Sequence, residues 1–407
     1  MAAKEMISST RVLKPWQKIL LILALVGLIA GLLLVVHSFL EHLPVGADFY
    51  TFWLAARANF IENQNPYSSE VTLASQMGIY GRPAFEWEDQ VAFAYPPYSL
   101  FLLFPLSGLT YPWAESVWLI ANIILIITAI YLSFPRAPKW LPFTFLLFYP
   151  VAFGLILGNF VVTISTFLIF FYGFFVVRKN PASWIQVMVG ILLAWTTTKP
   201  QFMWLFLVFI LLIAFRNKHR IFLISLASAW ISLFLLSFLT VPGWLPVWIG
   251  RVQEYAGYVK SSPTFVNLVS LILPVKAATV TAVILGIAIL LITARMVFKW
   301  FRKEQSDLHL FIWFGLATYL FHPHGISYEQ LSILVPLLCW VASLMTPRFR
   351  TYAFFWFLPL ILSWGFFAIS KWVFPAADEL PLLWYAGIFA WILLSKNSGI
   401  EPAKVSN

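Results

Sequence analysis

Long apolar runs, broken by short basic or proline-aromatic segments, dominate the chain. A helix crossing a hydrocarbon core of about 30 Å needs about 20 apolar residues. Runs of that character recur at 18–37, 113–133, 141–156, 160–177, 184–198, 200–215, 221–241, 276–298, 308–321, 331–346, 351–370 and 381–395. They predict an all-α polytopic membrane protein with about 12 transmembrane helices. Three runs are short for a crossing: 141–156, 184–198 and 200–215. Short helices are tolerated where the backbone lines a polar cavity or lies against protein.

Charge sets the orientation. Basic clusters sit at the N-terminus, at "PRAPK" (135–139), "RKN" (178–180), "RNKHR" (216–220), "FKWFRK" (298–303), "PRFR" (347–350) and Lys396. Loops rich in Lys and Arg stay cytoplasmic, so both termini are placed inside. Parity then requires that 97–109, "PYSLFLLFPLSGL", does not cross, and it is read as a re-entrant or interfacial segment. The chain becomes one domain, 1–407. It has a first span at 18–37, a long first external loop at 38–112, the remaining spans within 113–395 and a cytoplasmic tail at 396–407.

Composition agrees. Hydrophobic residues make up 61% of the 407 and charged residues only 10%, with a mean hydropathy of +0.86; soluble domains carry far more charge. The net charge of +10 invites a nucleic-acid reading. On this topology, however, nineteen of the 26 basic residues lie inside and twelve of the 16 acidic residues outside. The excess is a topology signal, and no nucleic-acid partner is expected. The first run follows Arg11, Lys14 and Lys18 with no small-residue cleavage site after it, and is expected to be an uncleaved anchor. Cys339, the single cysteine, lies inside an apolar run and is read as a core residue.

Ionisable groups near membrane depth are costly and so carry functional suspicion. Five outer helix ends collect them: Asp48 in "PVGADFYTFWLAARANF" (44–60), "AYPPY" (94–98) with Tyr95, "LGNF" (157–160) with Asn159, "TTTKPQF" (196–202), and "FHPHGISYEQ" (321–330). They are expected to converge on one outward cavity. Asp48 has two compatible readings. It can cap an interfacial helix of about 49–62, whose apolar residues Phe49, Phe52, Trp53, Ala56 and Phe60 recur at helical spacing, or it can do chemistry. Lys199 is either a snorkelling lysine or a fixed cation for an anionic ligand. On the second reading its removal weakens ligand use with little effect on folding. His322 and His324 flank Pro323, near Tyr328 and Glu329, and suit phosphate binding or acid–base work better than a metal, since nothing on that face completes a ligand set. Arg82, Arg251, Lys260 and Lys276 are single external cations. Asn159 and Gln201 can donate hydrogen bonds to a sugar or phosphate.

"GADFYTFWLAA" with "NPY" after it, "FAYPPYSLFLLFPL", "GN" at 158–159, "TKPQ" and the His/Pro loop occur in that order over about residues 20–340. Together they resemble the polyprenol-phosphate-mannose-dependent mannosyltransferases of bacteria and archaea, a group of the GT-C glycosyltransferase superfamily. The chain departs from that pattern at Gly158–Asn159, where the family often has Gly-Gln. The resemblance implies a GT-C-like bundle in a prokaryotic plasma membrane. It also implies inverting transfer of a hexose, mannose in the family, from a polyprenyl-phosphate carrier to a glycolipid or glycan acceptor on the outer face. It makes Asp48 the catalytic residue, a general base. It places Lys199 and either His322 or His324 near the lipid phosphate; with Gln201, Asn159, Tyr95 and Arg82, read from the residues themselves, they are the candidates for holding donor phosphate and sugar. No cofactor is expected beyond that donor substrate, no metal ligands are assigned, and a divalent ion stays an open question. The alternative class is a transporter or flippase of a lipid-linked sugar, which would use the same cavity without chemistry.

Overall fold

The computed structural model describes residues 14–43, 45–258, 273–322, 327–343 and 349–372. All regular structure among those residues is helical, with no strand among them. Among the described residues, six helices are long and apolar enough to cross a membrane: Pro15–Leu40, Tyr111–Ser133, Phe160–Val177, Arg220–Thr240, Lys276–Phe301 and Ala353–Ser370. Four shorter apolar helices, Ser183–Thr198, Pro200–Arg216, Asp307–Phe321 and Tyr328–Ser343, complete the apolar set. The protein is thus a helical, membrane-embedded molecule. The expected span at 381–395 lies outside the described residues.

In chain order the helices are α1 (Pro15–Leu40), α2 (Ala47–Phe60), α3 (Ser69–Tyr80), α4 (Tyr111–Ser133), α5 (Leu141–Leu146), α6 (Tyr149–Leu157), α7 (Phe160–Phe171), α8 (Ser183–Ala194), α9 (Pro200–Arg216), α10 (Arg220–Thr240) and α11 (Trp244–Tyr258). They continue with α12 (Val275–Phe301), α13 (Asp307–Phe321), α14 (Leu331–Ser343) and α15 (Phe349–Trp372). The run at 141–156 is two helices rather than one. Tyr149-Pro150 starts a new helix at α6, because proline lacks an N–H to donate and suits only the first turn. The 97–109 segment forms two 3₁₀ turns, Pro97–Leu102 and Phe104–Leu106, packed against α2 and α10.

Every residue of α7 is buried, and a π-helical turn at Tyr172–Val177 extends it. Around it α9, α13 and α14 build the larger apolar core. Lipid supplies little hydrophobic drive between helices, so close packing must hold them. Gly315 of α13 illustrates this: a Cβ there would stand 2.3 Å from the Ser332 carbonyl oxygen of α14. By contrast α1 buries only Leu40 and meets α4 where His37 stacks on Trp113 at 3.6 Å.

A second, smaller core lies at the loop end of the bundle. Phe49, Phe52, Trp53 and Ala56 of α2 recur at three- and four-residue spacing and all turn inward. They meet Tyr67, Phe93, Tyr98, Trp118, Phe160 and Trp244. Phe52 stacks on Phe160 at 4.4 Å, and Tyr95 meets both rings edge-on at 4.9 and 5.5 Å. This aromatic floor supports the polar groups described next.

Candidate functional site

The helix expected at 49–62 begins at Ala47, with Gly46 as its N-cap residue and no capping side chain of its own. Glu115 of α4 does that work from across the fold, accepting from Gly46 N–H at 2.6 Å and Val45 N–H at 3.1 Å. Tyr111 adds a hydrogen bond to the Gly46 carbonyl at 2.9 Å. The reading of Asp48 as the cap is therefore corrected. A carboxylate from another helix satisfies those N–H groups, and Asp48 is left free for something else.

Asp48 turns to Asn159, whose Nδ2 donates to Asp48 Oδ2 at 2.7 Å. Asn159 also caps α7, its Oδ1 accepting from Val161 N–H at 3.0 Å. Asparagine is among the best N-cap residues, and here one amide serves both tasks. Gly158 makes this possible. Its φ of +69° closes α6 in the left-handed region, which glycine enters without cost. A Cβ at that position would stand 2.5 Å from Phe49 Cβ. The Gly158 carbonyl accepts from Trp118 Nε1 at 3.0 Å.

The "TTTKPQF" segment is a 3₁₀ turn, Trp195–Thr198, followed by α9. Pro200 disfavours helical backbone at the residue before it, and Lys199 sits at φ −125°, ψ 76°. That break points the Lys199 side chain inward, where it is 4% exposed. It forms an ion pair with Glu329, which is 1% exposed. The other Glu329 oxygen lies 3.1 Å from His322 Nε2. Lys199 also sits 4.9 Å above the Tyr328 ring. Burial revises the expectation that Lys199 can be removed without harm to folding: removal would strand Glu329 beside His322 alone.

The two groups of residues are neighbours. Asp48 feels the Lys199 charge and the Tyr328 hydroxyl, both of which favour its ionised form. Burial outweighs them, as well as the Asn159 hydrogen bond, and pushes the Asp48 carboxyl above the usual aspartate range. Yet Asp48 keeps partial solvent access. Burial also raises Tyr95, with the Asp48 and Glu329 charges acting in the same direction, so its hydroxyl remains a neutral donor. Asp89 lies near enough to oppose ionisation of Asp48. Tyr255 of α11 feels Asp48, Asp89 and Lys199.

The "AYPPY" segment is strapped in from both sides. Tyr98 donates to the Thr197 carbonyl at 3.0 Å and Trp195 Nε1 to the Tyr98 carbonyl at 3.3 Å. From α11, Trp248 Nε1 donates to the Ala94 carbonyl at 3.0 Å, and Arg251 donates to the Tyr67 carbonyl. Tyr67 in turn donates to the Tyr95 carbonyl at 2.6 Å.

Of the sequence candidates, the structure gathers Asp48, Asn159, Tyr95, Lys199 and His322. Gln201 is exposed on the first turn of α9. Arg82 is held by both oxygens of Glu88, each at 2.8 Å. His324 lies outside the described residues. Sequence reasoning missed the roles of Glu115 and Glu329, which reach Gly46 and Lys199 across 69 and 130 residues. Among the described residues no three His, Cys, Asp or Glu side chains gather as a metal site. Comparison with protein-family models, curated proteins and solved structures finds no match.

Proposed function

We propose that the protein is an inverting, polyprenyl-phosphate-dependent hexosyltransferase of GT-C type, with Asp48 as general base. The observation that carries this reading is the placement of Asp48. It is a partly exposed carboxylate, held by the Asn159 amide at 2.7 Å and raised above its ordinary range by burial. It stands beside a buried Lys–Glu–His cluster. A base whose pKa is lifted toward the working pH takes a proton more effectively.

The chemistry needs little more. As the acceptor hydroxyl oxygen bonds to the anomeric carbon, Asp48 takes its proton. The anomeric carbon–oxygen bond to phosphate breaks, and its electron pair leaves with the phosphate. Phosphate is a good leaving group and needs positive charge and hydrogen-bond donors rather than an acid. Lys199, His322 and the Tyr95 hydroxyl supply them, and the donor's phosphate competes with Glu329 for Lys199. The donor is polyprenyl-phosphate-mannose or a related hexose carrier arriving through the bilayer. The acceptor, a glycolipid or glycan, arrives from the outer side of a prokaryotic plasma membrane, with both termini in the cytoplasm.

The test uses purified protein, synthetic polyprenyl-phosphate-mannose and a panel of glycolipid acceptors. Release of polyprenyl phosphate coupled to glycosylated acceptor, abolished by Asp48→Asn, supports the reading; release unchanged in that variant removes Asp48 from its role. One observation favours a second reading, a proton-coupled carrier of a lipid-linked sugar: a buried Lys199–Glu329–His322 network is also what proton relays use. Transbilayer movement of the lipid-sugar in liposomes, without any transfer, would select it.

A further inference from the structure

The segment 81–91 leaves α3 at Gly81, whose φ is +70°, and is held by an unusual density of hydrogen bonds for an exposed loop. Glu88 takes both Arg82 nitrogens at 2.8 Å and the Phe85 N–H at 2.9 Å. The fork holds the Glu88 carboxyl down to about 2. Gln90 Nε2 donates to the Phe85 carbonyl at 2.8 Å and the Glu88 carbonyl at 3.0 Å. Gln76 of α3 accepts from Ala84 N–H at 3.0 Å.

What this scaffold holds outward is aromatic. Phe85 and Trp87 stack at 4.9 Å with their planes 13° apart, the Arg82 guanidinium lies 4.1 Å from the Phe85 ring, and Trp87 is 78% exposed. An exposed apolar surface that the chain fixes in place marks a contact. Its surroundings narrow the contact. Arg82 neutralises Glu88, while two further carboxylates, Glu86 and Asp89, lie next to the rings in sequence; their charge disfavours hydrocarbon and repels phosphate headgroups. Flat aromatic faces rimmed by carboxylate and amide oxygens fit the apolar C–H face and the hydroxyl rim of a neutral sugar ring. Asp89, two residues beyond Trp87, lies near enough to act on Asp48.

We propose that the Phe85–Trp87 stack is the binding platform for a neutral hexose unit of the acceptor glycan, delivering its next hydroxyl toward Asp48. Arg82 then buttresses the platform through Glu88 and does not meet donor phosphate. The delivery half of this inference rests on the transferase reading, whereas binding itself does not. The test titrates methyl glycosides of mannose, glucose and galactose disaccharides into the full-length protein in detergent, without donor, and follows saturation-transfer NMR. At least one glycoside is expected to bind wild type at millimolar concentration. Trp87→Ala should weaken it at least tenfold and Arg82→Ala severalfold. Because Trp87 is exposed, Trp87→Ala should melt with wild type, which separates loss of the platform from misfolding. No binding to wild type, or equal binding to Trp87→Ala, overturns the platform. Platform binding in a protein that transfers nothing overturns the transferase reading instead.

Discussion

Replacing Glu329 by glutamine keeps the size and part of the hydrogen bonding at the centre of the buried cluster, but removes its only negative charge. Lys199 is 4% exposed and His322 2%, so neither can turn to water. Breaking a buried pair by removing one partner costs about 3–5 kcal/mol, because the remaining charge is left uncompensated. With about 2.1 cal/mol/K of unfolding entropy per residue over 407 residues, that corresponds to about 4–6 °C in Tm. Helices kept in detergent lower the entropy and enlarge the shift. The assay is thermal denaturation of Glu329→Gln, Lys199→Met and the double variant in one detergent. The double variant should recover most of the loss, since with both charges removed neither is left uncompensated. The same variants divide the proposed kinetics. Glu329→Gln frees Lys199 for donor phosphate and should lower the KM for donor, whereas Lys199→Met should raise it. Melting of Glu329→Gln within about 1 °C of wild type would refute the burial argument.

The raised Asp48 carboxyl sets a pH dependence. A base works ionised, so kcat/KM should climb with pH through a value above the ordinary aspartate value of 3.8, read from the acid limb of a pH–rate profile. The stability sign is opposite. A raised folded-state pKa means that ionising Asp48 destabilises the fold progressively as pH rises through that value, so Asp48→Asn should melt at or above the wild-type temperature while transfer is lost. Asn159→Ala should cost about 1 kcal/mol from the lost helix cap. It should also move the acid limb to higher pH, because the amide that lowers the Asp48 pKa is gone. Gly158→Ala forces a side chain into the left-handed region and within 2.5 Å of Phe49 Cβ. Strain and overpacking of about 1–3 kcal/mol each should appear as a drop in Tm larger than that of Asn159→Ala.

How much of this was legible depends on sequence distance. The long apolar runs declare their helices, and the amphipathic spacing of Phe49, Phe52 and Trp53 declares α2 and its inward face. Residues at helix ends, such as Asp48, Asn159, Lys199 and His322, could be nominated together because a polar group costs least where the backbone leaves the hydrocarbon. What joins them was not legible. Glu115 reaches the start of α2 across 69 residues, and Glu329 meets Lys199 across 130. Neither spacing leaves a periodic trace. The assignment of Asp48 as a cap failed for that reason, since an acid at a helix start looks the same whether or not another helix has supplied the capping oxygen. The Tyr149-Pro150 break within 141–156 was readable, but apolarity on both sides hid it.

Asn159 has a consequence beyond its own contacts. Its amide accepts with one atom and donates with the other, both at the reach of a two-atom side chain. Aspartate would keep the turn but bring a second negative charge against Asp48, and serine or threonine has only a hydroxyl where two atoms are at work. Glutamine reaches further but seats the helix start poorly. In this chain, then, a change at Asn159 disturbs the start of α7 and the hold on Asp48 together.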